Sequence, residues 1–325
     1  MPKVSVVIPV YNTGSLLDRT LTSVTQQTLA DIEIICVDDC STDNSLAILM
    51  DWAQKDSRIR IIPFEQNGGT SRARNTGIDE SRGEFIYFLD SDDWIDLDYL
   101  NAMYSKARET GQNVVLNVNN IKEYEEHGRQ AERETWGFKE SGYYPTANVQ
   151  SQMLCVIWTR LYNRDYLVSN NIRFPIIPAG EDIYFTALAE VLQPKSYVFF
   201  GPWHHYWQRP GSLFHQQNNS FYYIQSYRLL YRELVARGIS LDGLKLFHTG
   251  MDTIDSQDKF DLIHSYLQEV GDVIQKHPDN YTVLDNLLFD AIMGSADYAT
   301  FRAHHHPNLA IDYLRAHIRS KQCHD

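Results

Sequence analysis

The sequence predicts an α/β chain organised on a doubly wound, Rossmann-like mixed sheet, with a helical subdomain at its C-terminal end. Three observations carry that expectation. Short β-branched runs alternate with amphipathic stretches in the first third of the chain, polar clusters follow the strand-like runs, and beyond about Leu213 the apolar pattern turns helical.

The elements follow in order. A run over 4–8 precedes a helical pattern over 16–26, a run over 33–37 precedes 45–53, a run over 59–63 precedes 71–79, and a further run covers 85–89. Alternation of this kind builds βαβ units, whose parallel strands are buried on both faces and whose ligands gather beyond the strands' carboxyl ends. The polar clusters lie there: 12–15 after the first run, 38–43 after the second and 90–93 after the fourth. The stretch 119–144 reads as a polar surface excursion, while 113–118 and 196–200 are expected to complete the sheet. Tyr223, Tyr227, Leu230 and Leu234, and later Tyr313, Leu314 and Ile318, recur at helical spacing. The division drawn is a catalytic domain over 1–212 and a helical subdomain over 213–325.

Composition narrows the function. With 325 residues, 43% hydrophobic, the chain can bury a substantial core. A net charge of -13 disfavours a nucleic-acid partner, so any phosphate group must be met by local basic side chains, a metal or backbone amides. Cys36, Cys40, Cys155 and Cys323 show neither zinc-type spacing nor the density of a small disulfide framework, and reduced thiols in the cytoplasm are expected. The opening MPKVSVVIPVYN lacks the long apolar stretch of a signal peptide, and no run is long enough for a membrane span.

Two acidic segments stand out. FLDSDDW, residues 88–94, sets Asp90, Asp92 and Asp93 directly after an apolar strand, where like charges repel unless a cation neutralises them. Mg²⁺ or Mn²⁺, shared between carboxylate, phosphate oxygens and water, suits such a place; an acidic turn capping the next helix is the structural alternative. VDDCSTDNS, residues 37–45, joins a buried strand to a helix. One of its aspartates can cap while another meets a base or ribose, and a plain loop is the alternative.

PVYN at 9–12, VDDCSTDNS, NGGTSRARNTGI at 67–78, GEFIYFLDSDDW at 83–94 and GEDIYF at 180–185 stand in the order and spacing of the family 2 glycosyltransferases. About the first 210 residues resemble that family; the helical C-terminal part does not share the likeness. The resemblance implies a GT-A fold and transfer with inversion at the anomeric carbon. It implies nucleotide contacts from Pro9, Tyr11, Asp39, Arg72, Arg74, Asp90 and Ser91, with Asp39 facing the base. Asp90 and Asp92 match the family's DXD pair, with Asp92 on the metal, Mn²⁺ or Mg²⁺. Asp182 matches the catalytic base, which must be ionised at neutral pH to take the acceptor's proton. Glu181 supports the acceptor or its loop, and Arg209 and Ser212 in GPWHHYWQRPGS resemble the diphosphate contacts of a closing loop. Trp158 is either a wall of the donor-sugar pocket or core; His204 is either a further ligand or a structural histidine. Arg160 stands where the family often carries lysine.

The reading is an inverting transferase that moves a hexose or N-acetylhexosamine from a UDP-sugar donor to a glycan or lipid-linked glycan acceptor in bacterial surface polysaccharide synthesis, such as capsule or lipopolysaccharide. The alternatives are an inactive nucleotide-sugar-binding partner of a synthase and a sugar nucleotidyltransferase. The second of these would carry a glycine-rich basic loop where this chain has PVYNTGS. A cytoplasmic location is expected. The tyrosine- and leucine-rich stretch over 221–234 leaves open peripheral contact with the inner face of the membrane, with Arg228, Arg232 and Arg237 as a modest basic patch, and a homodimer contact through the same helices.

Overall fold

The computed structural model describes residues 1–124, 132–134, 138–145, 156–208, 219–241, 244, 246, 254, 256–276, 278 and 283–304. The chain divides into two compact units, Met1–His215 and Gln216–Asp325.

In the first unit β1 (Val4–Val10) leads into α1 (Gly14–Thr25), β2 (Ile32–Asp38) into α2 (Ser45–Lys55) and β3 (Ile59–Pro63) into α3 (Thr70–Glu80). β4 (Phe85–Phe88), the short β5 (Trp94–Ile95), α4 (Tyr99–Thr110) and β6 (Val114–Asn117) follow. Next come β7 (Asn120–Tyr124), β8 (Glu132–Glu134), β9 (Gly142–Pro145), a 3-10 turn Ile157–Thr159 and β10 (Arg160–Asn163). The unit ends with α5 (Arg164–Ser169), α6 (Glu181–Val191), β11 (Lys195–Phe199) and β12 (His204–Gln208).

Among the described residues the main sheet has the order β3-β2-β1-β4-β10-β6-β11-β9. β1 pairs parallel with β2 and β4, and β2 with β3, so the carboxyl ends of all four strands share one rim. β10 enters antiparallel between β4 and β6, and β9 closes the edge antiparallel to β11, which makes the sheet mixed.

Side chains alternate across the pleat. Val4, Val6, Ile8 and Val10 of β1 pack with Leu17, Leu21 and Val24 of α1, Leu49 of α2 and Tyr99, Leu100 and Met103 of α4. On the opposite face Ile35 and Val37 of β2 pack with Ala73 of α3. α3 also lies close on β1: a Cβ at Gly77 would come within 2.2 Å of the Val7 side chain, so only glycine allows that approach. Each fully buried valine, leucine or isoleucine contributes about 1.5–3 kcal/mol. The strand core is therefore stable enough to hold charged loops at its rim.

Two expectations need correction. The polar stretch over 119–144 is not simply an excursion, because β7, β8 and β9 lie in it. β7 and β8 join β5 and β12 in a second sheet, ordered β5-β12-β7-β8 among the described residues. The segment read as a closing loop contains β12, which runs beside β7 in parallel register from His204↔Asn120 to Gln208↔Tyr124. The mixed polar and aromatic strands of this small second sheet lack the apolar run that marks a buried parallel strand.

The second unit contains α7 (Asn219–Ala236), α8 (Gln257–Lys276), α9 (Val283–Met293) and α10 (Tyr298–His304). Tyr227, Leu230 and Leu234 of α7 are buried, as are Ile263, Leu267 and Val270 of α8. Arg228 and Arg232 both pair with Glu269, and Arg237 pairs with Glu233, so the basic patch is largely neutralised within the unit. Among the described residues no helix is long and apolar enough to cross a membrane. Tyr313, Leu314 and Ile318 lie outside the described residues.

Candidate active site

The shared rim is shaped by side chains that hold the loops. Asn12 takes a left-handed conformation after β1, and its Oδ1 accepts from the backbone of Thr42 at 2.8 Å and Asp43 at 3.3 Å, knitting the first loop to the second. Pro9 is part-buried within β1, opposite Val37. Tyr11 is 48% exposed beside it, leaving surface for a ligand at the rim.

Asp39 is buried and its carboxylate is engaged. It accepts the backbone N–H of Gly68 at 2.6 Å on one oxygen and that of Gly69 at 2.8 Å on the other. Through these two bonds Asp39 anchors the loop that starts α3. That helix presents two arginines differently. Arg72 is exposed, with its guanidinium 4.4 Å from the centre of the Phe64 ring, whereas Arg74 is 4% exposed.

The acidic loop after β4 is clamped by α1. Thr20 donates to the carbonyls of Ser91 at 3.0 Å and Asp93 at 2.7 Å, and Arg19 donates to that of Asp92 at 2.9 Å. Ser91 is buried, its hydroxyl accepting from Thr13 at 3.0 Å. This turn sorts the aspartates: Asp90 and Asp92 are partly exposed, while Asp93 is fully buried.

Asp93 points to β12. One carboxyl oxygen accepts the Trp207 backbone N–H at 2.9 Å, and the other lies 3.0 Å from His204 Nε2. His204 Nδ1 lies 3.0 Å from the Tyr87 hydroxyl, and Trp158 stacks on the imidazole at 4.2 Å. Burial holds His204 well below its ordinary pKa, and burial beside Asp92 and Asp90 pushes Asp93 up. Two expectations are corrected here. His204 is fully buried with both ring nitrogens engaged, so it cannot serve as a metal or diphosphate ligand; Trp158, 3% exposed, is core rather than a pocket wall. Arg160 is likewise interior, paired with Glu190 at 2.6 Å. Arg209 and Ser212 lie outside the described residues.

At the start of α6 Gly180 takes a left-handed conformation (φ 78°), which lets the chain turn into the helix with Glu181 and Asp182 in its first turn. The helix amino end favours that negative charge. Both carboxylates meet Arg74: Nη1 donates to Glu181 Oε1 and to Asp182 Oδ1, each at 2.8 Å, and Nη2 donates to Asp90 Oδ1 at 2.8 Å. Three carboxylates share one guanidinium, so with all of them ionised the cluster carries -2. Burial pushes Asp182 up to about 8 although Arg74 pulls it down, with Glu181 and Asp90 adding to the rise. Its ionisation at neutral pH is therefore not secured by the protein alone. A positive charge near Asp90 and Asp92 would favour it.

The rim thus brings together Tyr11, Arg72, Asp90, Asp92 and Asp182 as groups with exposed surface, and sets Asp39, Arg74, Ser91 and Glu181 behind them as supports. Sequence reading missed the shared guanidinium, the Thr20 clamp and the Asp93–His204–Tyr87 chain. A signal was present for the last only in Tyr87, which sets a hydroxyl inside the apolar FIYF run. Among the described residues no group of three or more His, Cys, Asp or Glu side chains is arranged to hold a metal by itself.

Against known proteins, residues 5–168 match the family described as Glycosyl transferase family 2. The chain is 32% identical over 211 residues to the putative glycosyltransferase EpsH of Bacillus subtilis, an alignment covering 63% of this chain and 60% of that protein. It is 36% identical over 200 residues to the poly(ribitol-phosphate) beta-glucosyltransferase of Bacillus spizizenii, covering 59% and 30%. The match to glycosyltransferase GlyA of Streptococcus pneumoniae covers 31% of that protein, so the chain spans only part of the relatives it resembles. The crystal structure of S. aureus TarS 1-349 matches 97% of this chain and 92% of that one, with a TM-score of 0.74 at 20% identity, which shows a shared GT-A fold. The same protein in complex with UDP-GlcNAc matches with a TM-score of 0.63 at 21% identity, over 90% and 80%.

Proposed function

The chain belongs to glycosyl transferase family 2, and on that premise we propose that it moves a hexose or N-acetylhexosamine from a UDP-sugar to a hydroxyl of a bacterial surface glycan, with inversion at the anomeric carbon. The observation that carries this reading is the placement of Asp90, at the end of β4, and Asp182, at the start of α6, on one buried guanidinium at the strand rim. The reaction needs both functions within a sugar's width: a group on the donor side and a base on the acceptor side.

In this reading Tyr11 covers the uracil and Arg72 lies beside the nucleotide. Asp182 accepts the acceptor's proton as that oxygen attacks the sugar from the face opposite the diphosphate. Asp92, with Asp90, would hold a divalent cation. The donor set fits a hard ion: oxygen ligands only, surplus negative charge, and too few protein ligands to cage it, so that diphosphate and water would have to share the binding. Bound there, Mn²⁺ or Mg²⁺ supplies charge stabilisation for the departing diphosphate. The TarS complex with UDP-GlcNAc supports a uridine-linked donor, and the relative named for poly(ribitol-phosphate) supports a polymeric acceptor.

Calorimetric titration of UDP with Mn²⁺, then with chelator, tests the reading, followed by a hydrolysis screen over UDP-sugars. Metal-dependent binding with slow hydrolysis of one donor is expected; no binding of any nucleoside diphosphate would sink it.

A further inference from the structure

The chemistry of a base does not by itself explain how its carboxylate is held at a set distance from the donor side. Arg74 offers an answer. It lies on α3, and its acceptors come from two other segments: Asp90, 16 residues on, and the pair Glu181 and Asp182, 107 and 108 residues on. All three bonds are 2.8 Å, and the side chain is 4% exposed. The remaining nitrogen, Nε, is buried with no hydrogen-bond partner. Such a group has little surface to offer a nucleotide. Its planar fork fixes the directions of its bonds, so the carboxylates on Nη1 and Nη2 are held in register with each other.

We infer that Arg74 is a positioning residue, which together with Glu181 fixes Asp182 relative to Asp90 and does not contact the nucleotide. This rests on the transferase reading above. Glu181 occupies Nη1 beside Asp182, so the guanidinium is braced on the α6 side by a carboxylate with no part in proton transfer. Arg72, two residues earlier and exposed, is the arginine left for the nucleotide.

Arg74→Lys tests the inference, because it keeps the charge and removes the fork. Transfer at saturating donor should fall about 10²-fold, the scale expected for a misplaced reacting group. The Kd for UDP with Mn²⁺ should stay within about threefold, the pattern of an interaction lost only in the transition state. Glu181→Gln should lower transfer about tenfold with UDP binding equally unchanged, and it carries the test if the lysine variant does not fold. Adding guanidinium chloride to Arg74→Ala should recover part of the transfer. A tenfold weaker UDP affinity with transfer retained at saturating donor would overturn the inference and put Arg74 on the nucleotide. A lowered Tm with unchanged kcat would overturn it by making the arginine structural. Absence of UDP binding by the unaltered chain would instead remove the transferase reading and this inference with it.

Discussion

The two ends of α6 solve the same problem differently. Near its carboxyl end Glu190 meets Arg160 at 2.6 Å, both about 1% exposed, one carboxylate to one guanidinium. At its amino end Glu181 and Asp182 share Arg74 with Asp90, three carboxylates to one guanidinium, and Asp182 keeps 28% of its side-chain surface open. Burial pushes Glu190 up against the pull of Arg160, as it does Asp182 against Arg74, but only the amino end has surplus negative charge facing an open rim. A balanced, closed pair stabilises or costs little and does no chemistry. An unbalanced, open one is where a proton or cation can be gained or lost.

Three experiments sharpen or break that contrast. The largest effect is expected from Asp182→Asn at the open end: transfer falls about 10²–10⁴-fold, the range for loss of a general base, while calorimetry finds UDP binding unchanged. Equal loss of binding would place Asp182 on the donor.

At the closed end Arg160→Met strands Glu190 and should cost about 3–5 kcal/mol of unfolding free energy in urea titration. The pair Arg160→Met with Glu190→Leu should recover most of that loss, and kcat per folded molecule should not change in either. A selective loss of kcat would mean that the closed pair also serves the rim.

The smallest effect is in pH. Asp182 is raised from 3.8 to about 8, so its basic form appears as pH rises. Transfer at saturating donor should therefore climb through the neutral range, with the inflection displaced below about 8 when Mn²⁺ is bound. The linked stability has the opposite sense. A folded-state pKa above the unfolded one favours the fold at low pH, fully below 3.8, and that contribution fades as pH rises through about 8. A flat rate profile would remove Asp182 from proton transfer.

Much of this was legible in the chain itself. β1, β2, β3 and β4 read as apolar runs because parallel strands buried on both faces exclude polar side chains. The polar groups after them read as a rim because loops that cap such strands must be solvated or bind something. β7, β8 and β12 were not legible, since a strand of mixed polar and aromatic residues differs from a loop only in what it pairs with.

The sequence by itself determined which residues could do chemistry: the aspartates after β4, the acidic first turn of α6 and the arginines of α3. Their identities and their places at strand ends are local properties. Only the tertiary structure decided which of them are engaged. Asp39 went to the Gly68 and Gly69 amides, Asp93 to His204 and Trp207, and Arg74 to three carboxylates from two distant segments. Burial and pairing set the charge a carboxylate carries, and both depend on neighbours up to 114 residues away, which no local pattern records.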